Sequence, residues 1–310
     1  LNQQNGNKFF FLINPNAGNE GGEREWPKIE QLIKQYDLQY EYVFTEAVGH
    51  AQKIIGEKII EGYRKIVVVG GDGTLNETIN GIFTQTAVPT NELYIGLMQM
   101  GTGNDWARYY GFDKDYENSI QRLLHGKICR QDVGTISYLT NEGTKSRYFI
   151  NIAGLCFDSV VVKATNLMKE RGRRTKSAYL ISLLRSLIKY RPWKLKITIN
   201  DKILEGKFLS ISIGNGKFSG GGMIQTPDAV INDGYLDVTI YENMPKLKII
   251  LNIKKLYNGK ILEIKGVKSY RAKSFKIESD QKIFAETDGE IIGSTPYEIS
   301  IIPDSVNVYI

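Results

Sequence analysis

Residues 70–77, Gly70-Gly71-Asp72-Gly73-Thr74-Leu75-Asn76-Glu77, follow directly on the apolar run Lys65-Ile66-Val67-Val68-Val69 and lead into a segment with helical spacing. Three glycines in four positions let the main chain turn sharply and come close to a ligand. Glycine-rich turns between a strand and a helix are phosphate sites, because bare N–H groups and the helix dipole favour negative charge. Asp72 sits in the middle of this turn, and its carboxylate repels phosphate unless a cation lies between the two. The stretch therefore predicts a nucleotide handled together with a divalent metal. An ordinary tight turn accounts for a pair of glycines. It does not account for all eight residues after a buried strand.

Outward from this point, strands and helices alternate through the first third of the chain. Apolar runs at 8–14, 38–44, 66–69 and 93–98 predict strands, and helical stripes predict helices at 26–36, 50–63, 75–83 and 116–124. A continuously apolar strand is one covered by helices on both faces, so a parallel sheet is expected, with its ligand crevice at the carboxyl ends of the strands. Past Cys129 the pattern changes. Short strands at 132–139, 148–152, 195–199, 208–213, 236–241 and 275–278, with turn residues such as Asn141-Glu142-Gly143 between them, predict antiparallel hairpins around one long helix at 175–189. The expected fold is an α/β N-terminal domain, a parallel sheet flanked by helices over residues 1–130 and 297–310, plus a β-sandwich-like C-terminal domain over 131–296.

Composition narrows the chemistry. The 310 residues are 42% hydrophobic and 24% charged, enough apolar material for two cores. With Cys129 and Cys156 the only cysteines, a disulfide framework is not expected and a cytoplasmic setting is. Two histidines, His50 and His125, leave the chemistry to carboxylates, backbone amides, Lys and Arg. No apolar run reaches the ~18 residues of a membrane-crossing helix.

Three predicted strand-to-helix turns share the phosphate-handling character: Asn14-Pro15-Asn16-Ala17-Gly18, the turn at 70–76, and Gly101-Thr102-Gly103-Asn104-Asp105. Taken singly, Asp105 also suits a helix N-cap, Asp132 a turn or strand edge, and Asp288-Gly289-Glu290 a hairpin turn. Together with Ala107-Arg108 and Gln131-Asp132-Val133-Gly134, and in this order from Phe9 to Glu290, the motifs resemble a bacterial diacylglycerol kinase-type lipid kinase, a member of the diacylglycerol kinase catalytic domain family related to sphingosine kinases. The Gly-Gly-Asp-Gly-Thr run is also shared with NAD kinases and, more distantly, phosphofructokinases, whose fold the first domain is then expected to follow.

The resemblance implies ATP and Mg²⁺ as cofactors, a nucleotide site in an interdomain cleft, and a lipid substrate, diacylglycerol or a related lipid, as phosphoryl acceptor. It implies a nucleotide site made of Asn14, Pro15, Asn16, Ala17, Gly18, Thr45, Gly70, Gly71, Asp72, Gly73, Thr74, Leu75, Asn76 and Thr102. Asp72, Asp105 and Asp132 would hold the catalytic Mg²⁺ largely through water, with Glu290 as general base and Asp72 as the rival for that role. A structural Mg²⁺ would take the Asp233 carboxylate and the carbonyls of Val230 and Tyr235. There the chain departs from the family in carrying Asn232 for a frequent Asp and Val230 for a Lys. Homodimers occur among the relatives.

The net charge of +6 is uneven: residues 160–196 hold eleven Lys/Arg against the single acid Glu170, net +10, and the remaining 29 basic and 33 acidic residues net −4. Within this patch Gly172-Arg173-Arg174-Thr175-Lys176 precedes the stripe Tyr179, Leu180, Leu183, Leu184, Leu187 and Ile188. The stripe is that of a helix packed on the β-domain; the cations are those of a helix meeting an anionic membrane. Peripheral membrane contact through segment 163–196 is therefore expected. Without interleaved aromatics or a recognition motif, no nucleic-acid partner is. Two rival functions stay open: an NAD kinase-like nucleotide kinase, whose Gly-Ser-Thr-Ala-Tyr run Gly293-Ser294-Thr295-Pro296-Tyr297 is similar to, and a non-catalytic ATP- or membrane-binding member of the fold.

Overall fold

The computed structural model describes residues 5–170 and 176–310, apart from the side chains at 19–20, 169–170, 176–180 and 182; the cluster Gly172-Arg173-Arg174-Thr175 lies outside them. Two units result, one of Leu1–Asp132 with Asp304–Ile310 and one of Val133–Pro303.

In the first unit β1 (Phe9–Ile13) is apolar and buried at every position. It leads through a turn into α1 (Ala17–Gln35), followed by β2 (Tyr40–Phe44), α2 (His50–Ile60), β3 (Lys65–Gly70), α3 (Asp72–Thr84), β4 (Tyr94–Gln99), α4 (Asp105–Tyr110) and α5 (Tyr116–His125). The strands run parallel in the order β2-β1-β3-β4. Helix α1 lays Trp26, Ile29 and Ile33 on a core that includes Phe9, Phe11, Ile13, Val67 and Val69. Each such buried side chain contributes ~1.5–3 kcal/mol. Because the strands are parallel and in register, their carboxyl ends lie along one edge, and four turns (after Ile13, Phe44, Gly70 and Gln99) are brought side by side there.

In the second unit β5 (Ile128–Thr140) and β6 (Gly143–Phe149) form a hairpin. Next come β7 (Ile152–Cys156), α6 (Phe157–Glu170), α7 (Lys176–Lys189), β8 (Trp193–Ile199), β9 (Lys202–Gly214) and the short pair β10 (Phe218–Ser219) and β11 (Met223–Ile224). The unit closes with β12 (Leu236–Glu242), α8 (Lys246–Leu251), β13 (Val267–Ala272), β14 (Ser274–Glu278), β15 (Phe284–Thr287) and β16 (Glu290–Tyr309). The long strand β9 pairs antiparallel with β8 along one half and with β7 and β12 along the other. Strand β15 joins β7 to β16. A core of Leu155, Ile197, Ile211, Ile213, Val238 and their neighbours is shared by these strands with Leu183 and Leu187 of α7. The last residues of β16, from Asp304 on, belong to the first unit, where Asn307 and Val308 pair parallel with β4.

Candidate functional site

The turns at the carboxyl edge of the first sheet are locked together. Asn14, directly after β1, donates its Nδ2–H to Thr74 Oγ1 (2.9 Å) and accepts the N–H of Asn16 on Oδ1 (3.0 Å). The first turn is thereby tied to the third. Thr45, after β2, is buried and gives its N–H to Ile13 O at 2.8 Å. Met100 N–H reaches Gly70 O at 2.8 Å, which ties the third turn to the fourth.

Gly71 and Gly101 then meet back to back. A β-carbon on Gly71 would lie 2.9 Å from Gly101 Cα, and one on Gly101 would lie 2.8 Å from Gly71 Cα. Only hydrogen fits between these two turns. Gly71→Ala is therefore expected to push the turns apart and cost about 1–3 kcal/mol of stability, measured by urea unfolding; an unchanged midpoint would show that the turns separate freely.

Gly103 leaves room for two carboxylates. Its absent β-carbon would lie 3.0 Å from Asp72 Oδ2 and 3.3 Å from Asp105 Oδ2, so both acids flank one small space. Asp72, the first residue of α3, accepts the N–H of Asp105 on Oδ2 (3.2 Å) and of Trp106 on Oδ1 (3.3 Å), and so also caps α4. The capping position of α3 itself is Gly71, with no side chain to satisfy the first turn's N–H groups. An anion approaching α3 meets main-chain donors; a cation beside it meets Asp72 and Asp105. Among the described residues no three His, Cys, Asp or Glu side chains converge tightly enough to ligate an ion directly. A cation held by this pair would keep much of its water shell, as Mg²⁺ does.

The other expected residues divide. Asn16, Gly18 and Thr102 are exposed, whereas Thr74, Leu75 and Asn76 are buried, and Asn76 accepts from Asn80 Nδ2 on its carbonyl at 2.8 Å. The side chains of Leu75 and Asn76 are therefore enclosed by protein at the start of α3. Asp132 is buried and accepts the N–H of Asp304 at 2.8 Å. Glu77, given no role by sequence reasoning, accepts the N–H groups of Gly49 (2.9 Å) and Ala51 (3.2 Å) and so holds the start of α2.

In the second unit Asp288 and Gly289 form the turn between β15 and β16, and Glu290 follows, half-buried. Asp288 is a staple as well as a turn residue: its carboxylate accepts the N–H groups of Ile150 (2.9 Å), Asn151 (3.1 Å) and Ile152 (2.9 Å). Gly289 gives its N–H to Glu286 Oε2 (2.8 Å), and its carbonyl accepts from Asn166 Nδ2 (3.0 Å). The Glu290 backbone is thus fixed from both sides of the turn.

Beneath the turn, Glu286 and Asp158 face each other across Gly154, whose absent β-carbon would lie 2.7 Å from Glu286 Oε1 and 3.2 Å from Asp158 Oδ2. Burial, and then the neighbouring acids, push the Glu286 carboxyl well above its usual range. Burial pushes Asp158 up to about 6 against the hydrogen bond from Ser212, whose hydroxyl donates to Oδ2 at 2.8 Å. A carboxyl whose pKa is raised on folding stabilises the protein most when protonated. Its contribution is lost as pH climbs from about 4, the unfolded value, through about 6. Asp158→Asn is expected to remove that part of the slope and to raise stability at pH 7–8; urea unfolding at pH 4, 6 and 8 tests this, and a wild-type slope in the variant counts against it.

At the third expected location Asp233 Oδ1 accepts the N–H of Tyr235 (3.0 Å) while Oδ2 pairs with the Arg271 guanidinium, which also lies 4.7 Å over the Tyr235 ring. A cation at Asp233 would compete with that guanidinium for the carboxylate.

Comparison with known proteins adds to this geometry. Residues 8–136 match the diacylglycerol kinase catalytic domain, and residues 152–310 match the YegS C-terminal NAD kinase beta sandwich-like domain. A diacylglycerol kinase of Staphylococcus saprophyticus is 27% identical over 306 residues, covering 96% of this chain and 94% of its own. A crystal structure of a diacylglycerol kinase from Bacillus anthracis superposes with a TM-score of 0.72 at 20% identity, over 98% of this chain and 96% of that one. Yeast NADH kinase complexed with NADH shares the fold more distantly, with a TM-score of 0.54 at 9% identity over 99% and 83% of the two chains.

Proposed function

The chain belongs to the diacylglycerol kinase-type lipid kinase family, and from that premise we propose that it transfers the γ-phosphoryl group of ATP to a lipid hydroxyl, diacylglycerol being the first candidate acceptor. The observation that carries this reading is the meeting of Gly71 with Gly101 beside the paired carboxylates of Asp72 and Asp105. Phosphoryl transfer asks a protein chiefly to position its reactants and neutralise charge. The triphosphate would lie along the amides of residues 14–18 and 70–74 with Thr45 and Thr102 beside it. Asp72 and Asp105, with Asp132 contributing through water, would hold Mg²⁺, which when bound draws charge off the phosphate oxygens. Glu290 would accept the proton of the acceptor hydroxyl, its main chain steadied by the partners of Asp288 and Gly289. Such an enzyme works from the cytoplasm at the inner face of a membrane, which segment 163–196 would approach.

The test is transfer of label from [γ-³²P]ATP to total cell lipid, to dispersed diacylglycerol and to NAD, in parallel. Label in a chloroform-soluble product that requires Mg²⁺ supports the proposal. Label in NAD alone assigns the chain to nucleotide phosphorylation, and ATP binding with no labelled product makes it a non-catalytic member of the fold.

A further inference from the structure

The second unit exposes large apolar side chains where a water-soluble surface has no use for them. Helix α7 turns Leu183 and Leu187 into the core, but leaves Ile188 69% exposed beside Lys189. Helix α8 buries no residue at all. Its Leu247 and Leu251 are 66% and 74% exposed, and Ile249 with Ile253 and Leu256 supplies the face that packs on the core. The two helices meet: Lys246 Nζ at the start of α8 donates to the carbonyl of Ile188 near the end of α7 at 2.5 Å. Ile188, Leu247 and Leu251 thus belong to one surface, and exposed apolar groups gathered on one surface mark a place of attachment.

The charge around them is mostly of one sign. Residues 176–194 contain five Lys/Arg and no acid, and residues 243–262 contain five Lys and no acid. Glu242 and Glu263 stand at the borders of the second stretch, Glu263 paired with Lys255. Arg185 and Lys189 of α7 also line a cavity of about 970 Å³ with Arg191, Lys194 and Lys207, where Asp280 is the only acid among the described lining residues. The buried ring of Tyr190 and the half-buried Trp193 complete its wall. A cationic recess with aromatic walls takes an anionic headgroup, and apolar side chains rimmed by lysine enter the acyl region beside it. A symmetric dimer through this surface is disfavoured, since it would set cations against cations.

We propose that the end of α7, α8 and the adjoining cavity form a docking surface for a bilayer of anionic phospholipid, with Leu247 and Leu251 inserting and the cavity receiving a headgroup phosphate. The choice of a bilayer rests on the lipid-kinase reading; the surface itself does not. It extends the membrane contact expected of segment 163–196 to α8, a separate element that the charge distribution of that segment did not include.

The experiment is flotation of the full chain with vesicles of phosphatidylglycerol and phosphatidylcholine, against vesicles of phosphatidylcholine alone. The unaltered protein is expected to float only with the anionic vesicles and to be released by salt. Leu247→Glu/Leu251→Glu should lower that binding at least about tenfold with an unchanged melting temperature, both positions being at the surface. Arg185→Glu/Lys189→Glu, checked in the same way, should lower it as well. Equal flotation of the unaltered protein and the leucine variant overturns the proposal. So does a dimer in sedimentation equilibrium that the leucine substitutions abolish, because the surface is then an interface between copies. If flotation follows these expectations while no lipid is phosphorylated, the docking surface stands and the kinase reading falls. If lipid is phosphorylated while the substitutions leave flotation unaffected, the kinase reading stands and the docking surface falls.

Discussion

Asp72→Asn is expected to give a folded protein whose turnover falls by about 10²–10³-fold, the order found when a preorganised charge-stabilising group is removed from a transition state. The structure separates the two duties of this residue. As a cap, the carboxylate accepts one N–H on each oxygen, from Asp105 and Trp106. Asn keeps one acceptor oxygen, so α4 stays anchored and stability changes by ~1 kcal/mol or less. As a charged group beside Asp105, it has no substitute in Asn. If the pair holds a divalent cation as proposed, halving the negative charge around the space at Gly103 would weaken that hold and leave the charge of the phosphate oxygens unscreened. Steady-state kinetics paired with thermal melting is the measurement. Turnover within tenfold of the unaltered protein, at normal stability, would remove Asp72 from the reaction. Asp72→Ala is the useful contrast, since it loses the cap too and is expected to melt earlier.

What could be read in advance was what is local in the chain. The strand character of residues 66–69, the glycines of the turn and the carboxylate at Asp72 need no distant partner to be recognised, and the parallel edge that carries them follows from strands buried on both faces. What ties the site together was hidden by sequence distance. Asn14 meets Thr74 across 60 residues, Asp72 meets Asp105 and Trp106 across 33 and 34, and Asp288 meets residues 150–152 across 136 to 138. A turn residue that caps a remote loop has the same local signature as one that does not.

Helix starts differ from the sequence pattern for a related reason. Helix α1 was expected from residue 26 and begins at Ala17, because Gly18, Gly21 and Gly22 carry the signature of a loop. Packing overrides it: a β-carbon on Gly22 would lie 1.9 Å from Asn14 O, so glycine is what lets the helix run against the first turn. Helix α6 was not expected at all. Its Val160-Val161-Val162 run favours strand, yet it begins directly after Cys156, which takes a left-handed conformation (φ 66°) and accepts the Ser159 hydroxyl at 2.9 Å. Helix α8 has no clear signature in the sequence because its apolar residues point to two sides, and a pattern with two apolar faces has no clear period.

Glu290→Gln is the second substitution expected to abolish useful turnover, by about 10²–10⁴-fold, the range for losing a general base. Its packing predicts a folded protein: the turn is held by Asp288, Glu286 and Asn166, which the change leaves in place. Asp72 and Glu290 are rivals for the base, and loss of activity in both variants would not separate them. Their responses to metal and pH would. If Asp72 serves the cation, raising Mg²⁺ or supplying Mn²⁺ restores part of the activity of Asp72→Asn and none of that of Glu290→Gln. If Glu290 takes the proton, the rise of kcat/KM with pH on the acid side, where a carboxylic acid must ionise to act, flattens in Glu290→Gln and persists in Asp72→Asn. The reverse pattern, with metal rescuing Glu290→Gln and the acid limb missing from Asp72→Asn, would move proton transfer to the glycine turn and leave Glu290 with a structural part only.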